Sequence, residues 1–204
     1  MSERIRPAGP KDVKALHALI ESAYRGDSAR RGWTHEADLL GGQRTDVESL
    51  AALLAMPGQT VLLAETDQGL AGCVNVADLA GRAYLGMLSV DPARQASGLG
   101  RRLIAEAEAL ARLQGATVME MTVISRRVEL IAWYERRGYH LTGRRAPFPM
   151  HDPRFGIPLC DHLEFVVLEK RLDRPSAEVA ARWTPATARA DAGADVRPSP
   201  AGPA

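Results

Sequence analysis

Cysteine is nearly missing from this chain, as are long apolar runs, a dominant sign of charge and an abundance of aromatics. Cys73 and Cys160 are the two cysteines and make no disulfide framework, which points to a reducing compartment. No apolar stretch approaches the roughly 20 residues a membrane-spanning helix needs, and no charged-then-apolar leader pattern opens the sequence. The expectation is a soluble, cytoplasmic protein with no membrane partner. A formal net charge of +1 gives no bulk attraction to nucleic acid. With aromatics at 5%, no basic face interleaved with stacking rings stands out, so no nucleic-acid partner is expected. His151, Asp152, Cys160, Asp161 and His162 crowd one region but follow no ligand spacing, so no metal is expected either. What remains is enough chain for one domain with a real core, assigned to residues 1–172. From 173 to 204 the composition turns to Ala, Pro and Arg and ends in RPSPAGPA, which predicts a flexible tail. Val179 and Trp183, spaced i, i+4, stand out as apolar anchors near its start and could dock one helical turn.

The stretch 85–111 organises the rest. Leu85, Met87, Leu88 and Val90 form the near-continuous apolar run of a strand buried on both faces, and Pro92, with no N–H to donate, ends its pairing. Gln95-Ala96-Ser97-Gly98-Leu99-Gly100 follows and opens a helix over 100–113. Two glycines let main chain approach a ligand closely while unpaired amides converge at the first helical turn, a ready site for phosphate. Arg101 and Arg102 add positive charge beside it. Two common nucleotide loops do not fit: a dinucleotide fingerprint needs glycine where Leu103 stands, and a P-loop needs Gly-Lys-Ser/Thr where the chain has Gly100-Arg101-Arg102. Further on, a strand-like run over 117–124 leads to a helix ending Trp133-Tyr134-Glu135-Arg136-Arg137-Gly138-Tyr139, with a glycine suited to a left-handed C-cap.

Strand, then Q-x-x-G-x-G, then helix resembles the pyrophosphate loop of the GNAT superfamily of N-acetyltransferases. Tyr134, Glu135, Gly138 and Tyr139 match the end of that family's later helix in order and spacing. The rest of the chain is consistent with this. A short edge strand at 5–8 precedes a helix reaching Tyr24, with Val13, Leu16, Leu19, Ile20 and Tyr24 on one face. A second helix over 46–56 leads to a hairpin of 60–65 and 70–78, and further strands are expected at 140–144 and 161–170. The resemblance implies an α/β (α+β) GNAT fold: a mixed sheet of roughly six to seven strands with about four helices, whose central strands splay to form an acetyl-CoA cleft.

It also implies an acetyl-CoA-dependent N-acetyltransferase acting directly on a primary amine, with no covalent enzyme intermediate and no metal. Main-chain groups of Leu88, Ser89 and Val90 would hold pantetheine, and Gln95, Ala96, Ser97, Gly98, Leu99, Gly100 and Arg101 the diphosphate. Tyr134 matches the family tyrosine near the CoA sulfur, usually assigned as the acid for the departing thiolate; packing beside the cofactor is the alternative. Glu120, on the strand beside the acetyl site, is a candidate base, in competition with water relays to Glu36 or Asp38. Many family members carry an asparagine contacting CoA where this chain has Arg127. The long connection 25–45 lies where the family shapes its acceptor pocket, so Trp33 could wall an amine and Glu36 or Asp38 attract its charge. Phe148 and Phe155, in a proline-rich segment expected to be irregular, could close over the same site. The expected acceptor is a small molecule; protein or peptide amines, or a non-catalytic acyl-CoA sensor, are the alternatives. A monomer or homodimer fits either way.

Overall fold

The computed structural model describes residues 4–152 and 155–173; the segment from 174 onward, with Val179 and Trp183, lies outside the described residues. Its elements, in chain order, are β1 (Arg4–Pro7), α1 (Val13–Tyr24), α2 (Gly26–Arg30), β2 (Leu40–Gly41), α3 (Val47–Ala55), β3 (Gln59–Thr66) and β4 (Gly69–Asp78). There follow β5 (Arg82–Val90), α4 (Leu99–Leu113), β6 (Val118–Ile124), α5 (Val128–Glu135), β7 (His140–Pro147), β8 (Ile157–Pro158) and β9 (Glu164–Arg171). Seven strands form one sheet in the order β1-β3-β4-β5-β6-β9-β7. Only β5 and β6, joined through the crossover helix α4, run parallel; the other pairs are antiparallel. This is the expected mixed sheet.

Period-two alternation divides the core between the two faces of that sheet. From β3, Leu62 and Ala64 enter a cluster with Leu85, Met119, Met121 and the apolar stripe of α4, while Val61 and Leu63 enter a second with Leu16, Ile20 and Leu50 from α1 and α3. Each fully buried leucine contributes roughly 2 kcal/mol, so the clusters hold α4 against one face and α1 and α3 against the other. Leu99, Leu103, Ala107 and Ala111 are buried at four-residue spacing along α4, as an amphipathic helix requires. Its buried carboxylate, Glu108, receives Lys170 Nζ at 2.7 and 2.9 Å, Arg112 at 3.2 Å and the Tyr139 hydroxyl at 3.2 Å. That network ties the helix to β9 and to the turn after α5.

Two segments differ from expectation. The connection 25–45 contains the short helix α2 and strand β2, and β2 pairs with β8 (Leu40 with Pro158, Gly41 with Ile157). In the proline-rich segment the described residues include β8, and Phe148 belongs to a third apolar cluster with Leu40, Ile124, Leu163 and Phe165 beneath that clasp. Sequence periodicity misses both, since each strand is two residues long and its partner lies far along the chain.

Candidate functional site

The parallel pairing of β5 with β6 covers only Arg82 with Val118, Ala83 with Met119 and Tyr84 with Glu120. Beyond it the strands diverge, running on to Val90 and Ile124 with no rungs between them. The cause lies on the other edge of β5. Asn75 pairs with Gly86 and Cys73 with Ser89, so Val74 alone faces both Met87 and Leu88. This is a β-bulge, and Met87 sits in it at φ 55°, an uncommon conformation for a bulky side chain. The bulge carbonyl of Met87 accepts the Ser89 hydroxyl at 3.2 Å and the Cys73 thiol at 3.6 Å. Burial pushes that thiol up to about 12, so Cys73 stays neutral and serves the bulge.

The divergence opens a cavity of about 420 Å³. At one end lie the loop after β5 and the start of α4. Gly98, at φ 88°, is the N-cap residue of α4, a left-handed position that glycine takes at no steric cost. The amides from Gly98 to Arg101 find no main-chain acceptor among the described residues, so they converge on the cavity together with the positive end of the helix. Arg94, Arg101 and Arg137 also line this end. Unpaired amides flanked by guanidinium groups fit a diphosphate. Gly100 is closely covered: a Cβ there would lie 3.5 Å from the Trp133 ring, over which the Arg137 guanidinium stacks at 3.4 Å. All the residues expected to hold the cofactor, from Leu88 to Val90 and from Gln95 to Arg101, line the cavity.

The Gln95 side chain does something the motif does not announce. Its Oε1 accepts the Trp33 amide at 2.9 Å and its Nε2 donates to the Val90 carbonyl at 3.4 Å, fastening the connection 25–45 to the glycine loop. Trp33, 41% exposed, stands 6.2 Å from Trp133 at the rim of the cavity.

Tyr134 lies at the inner end. Its ring meets Trp133 and Tyr139 edge-on, it is 1% exposed, and burial raises its phenol well above the ordinary value. Tyr24, Tyr84 and Arg127 are close enough to influence that hydroxyl electrostatically. Tyr24 donates to the Leu88 carbonyl at 3.0 Å, and Tyr84 shares a 2.6 Å hydrogen bond with Thr122. Three tyrosines thus converge where the strands part. Tyr24 and Tyr84 carry no local sequence signal, because α1 and β5 present them as ordinary core residues.

The acceptor-side residues fare differently. Glu36 is fully buried and holds Arg25 at 2.8 Å and Arg127 at 3.1 Å, while Arg127 also donates to Thr34 Oγ1 at 2.9 Å. Both Glu36 oxygens are engaged, so it does not greet an amine as a bare carboxylate. Asp38 pairs with Arg30 at 3.0 Å on the surface, its side chain 68% exposed, and does not line the cavity. Glu120 lies outside the cavity lining and is held by Arg82 at 2.9 Å and by Arg144. Phe148 packs on Phe165 and Phe155 in the third cluster and so supports the clasp without lining the cavity. Arg127, the N-cap of α5, lines it.

Comparison with known proteins adds three findings. The model of the acetyltransferase (GNAT) family matches residues 16–139. No curated protein matches the sequence. Among solved structures, yncA from Salmonella typhimurium, determined with its cofactor acetyl-CoA, superposes with a TM-score of 0.63 at 20% identity, covering 87% of this chain and 98% of that one. The ribosomal-protein-S18-alanine N-acetyltransferase from Escherichia coli gives 0.63 at 15% identity over 86% and 97%. Nourseothricin acetyltransferase gives 0.61 at 20% over 85% and 100%. These likenesses are likenesses of fold.

Proposed function

The chain belongs to the acetyltransferase (GNAT) family, and from that premise we propose that it transfers an acetyl group from acetyl-CoA directly to the primary amine of a small molecule. The observation that carries this reading is one cavity lined both by the residues whose amides are bare at the start of α4 and by Tyr134. Gly98, Leu99, Gly100 and Arg101 would hold the diphosphate, and the edge of β5 from Leu88 to Val90 the pantetheine. Acetyl-CoA supplies the acetyl group as an activated thioester. In the transfer the amine nitrogen bonds to the acetyl carbon and the carbon–sulfur bond breaks. Tyr134 gives its phenolic proton to the leaving sulfur, a role that burial favours by keeping the phenol protonated. No carboxylate is among the described residues lining the cavity, and Glu36 and Glu120 are each held by two arginines, so the amine proton leaves to water. The β2–β8 clasp ties the connection 25–45 to the segment after β7, which favours a small acceptor over an open peptide groove.

The test is CoA release from acetyl-CoA across amino acids, polyamines, aminoglycosides, arylamines and short peptides, with the native protein and Tyr134→Phe. Acceptor-dependent turnover that drops about 10²-fold in Tyr134→Phe, with acetyl-CoA binding unchanged, is the expected result. Preference for peptide N-termini would replace the small acceptor with a protein one; full activity in Tyr134→Phe would remove the acid.

A further inference from the structure

The connection 25–45 touches both ends of the cavity within a few residues, and Trp33 stands at the cofactor end. The Gln95 side chain accepts the Trp33 amide at 2.9 Å and is itself bound to the Val90 carbonyl. The Trp33 ring stands 6.2 Å from that of Trp133 at a tilt of 40°. Trp133 and Val90 both close on Gly100, where a Cβ would meet the Trp133 ring at 3.5 Å and Val90 Cγ2 at 3.7 Å. Trp33 is thus fixed through its main chain to the start of the glycine loop, and through its ring to the indole that covers the first turn of α4. The acceptor end begins one residue later. Thr34 Oγ1 accepts from Arg127, and two residues beyond it Glu36 joins Arg25 and Arg127. The connection runs along the cavity as a strap, and Trp33 is the part of it nearest the bare amides.

Trp33, Val90 and Trp133 make an apolar collar where the edge of β5 gives way to the glycine loop, with Leu130 lining the same cavity. The diphosphate has its own partners in the amides and in Arg94, Arg101 and Arg137, and gains nothing from an indole. The part of CoA next to the diphosphate is different: the pantetheine arm begins there with a carbon bearing two methyl groups. With the diphosphate at Gly98 to Arg101 and the arm along Leu88 to Val90, that carbon comes to the collar. Trp33, at 41% exposed, still has apolar surface to lose to it.

On the reading that this cavity binds acetyl-CoA, we infer that Trp33 is a cofactor residue. Its indole closes with Trp133 over the dimethyl carbon of the pantetheine arm, and it does not wall the acceptor amine. Acceptor choice then rests on the part of the connection beyond Trp33.

The test is titration calorimetry of the native protein, Trp33→Ala and Trp33→Phe with CoA and with 3′-phosphoadenosine 5′-diphosphate, which is CoA without its pantetheine arm. Trp33→Ala should weaken CoA about 10-fold, the value of roughly 55 Å² of apolar surface taken from water, and leave the arm-less nucleotide within about twofold of native. Trp33→Phe, which keeps a ring, should recover most of the loss. With acetyl-CoA saturating, KM for whichever amine is turned over should stay within about threefold in Trp33→Ala. Radical footprinting of the native protein, read by mass spectrometry, needs no variant: CoA should protect Trp33 from oxidation more than the arm-less nucleotide does. If Trp33→Ala fails to fold, that footprint decides the matter. Unchanged CoA affinity in Trp33→Ala, an equal loss for both ligands, or a rise in acceptor KM larger than the loss of CoA affinity would each overturn the inference and leave the transferase reading standing. Native protein that binds no CoA would overturn the cofactor reading itself.

Discussion

The two ends of the cleft are built from different materials. The cofactor end is mostly main chain: bare amides of a loop and a helix start, contributed by consecutive residues from Gln95 to Arg101. The acceptor end is side chains, with Tyr24, Arg25, Glu36, Arg44, Tyr84 and Arg127 converging from α1, β5, the start of α5 and the connection after α1. A backbone site needs residues that permit a conformation and tolerates change at most other positions. A side-chain site needs each group and also needs the groups to neutralise one another, so losing one disturbs the rest.

The largest expected effect tests that dependence. Glu36→Ala strands Arg25 and Arg127 without their shared anion and should cost about 3 to 5 kcal/mol of folding stability, read as a lowered urea midpoint. A loss below about 1 kcal/mol would mean that the acceptor end is as tolerant as the cofactor end. Next comes the pH profile of kcat. Because burial raises the Tyr134 phenol above its ordinary value of 10.0, its proton is retained through pH 10 and lost only above it. Turnover should therefore climb with deprotonation of the acceptor and show no alkaline decline below pH 10; a decline near pH 8 or 9 would assign the acid elsewhere. A smaller effect belongs to the cofactor end. Gly98→Ala forces a side chain into the left-handed region, worth about 1 to 2 kcal/mol, and should raise KM for acetyl-CoA roughly 5- to 30-fold while leaving the acceptor preference intact. A change in acceptor preference instead would join the two ends functionally. The smallest effect is expected at Glu120→Gln: surface pairs with Arg82 and Arg144 are worth about 1 kcal/mol or less, and kcat should stay within about threefold of native. A drop of 10²-fold would restore Glu120 as the base.

The same contrast explains what the sequence could reveal. A main-chain site is written in contiguous residues, so the glycine loop, the apolar strand before it and the helix after it are legible from spacing alone, as is Tyr134 at a helix end marked by Gly138. Long-range pairs leave no such trace. Glu36 reads as a loop acid open to solvent until the fold brings Arg127 to it. Glu120 reads as a carboxylate beside the reaction until Arg82 and Arg144 close on it. Phe148 and Phe155 read as lid residues because nothing local signals a two-residue strand pairing with Leu40 and Gly41. Arg127 shows the limit most plainly. From sequence it is a departure at a cofactor contact; in the fold it lines the inner cavity and holds Glu36 and Thr34.

Gln95 has a consequence for redesign. It belongs to the glycine motif, yet its side chain grips the backbone of Trp33, and a Cβ on neighbouring Gly32 would fall 2.5 Å from its Oε1. A transplanted loop over 25–45, brought in to change the acceptor, therefore keeps this tie only if it arrives with a glycine at this contact. Otherwise the graft displaces the Gln95 amide and gives up its bonds to Trp33 and Val90, loosening the tie between the connection 25–45 and the glycine loop.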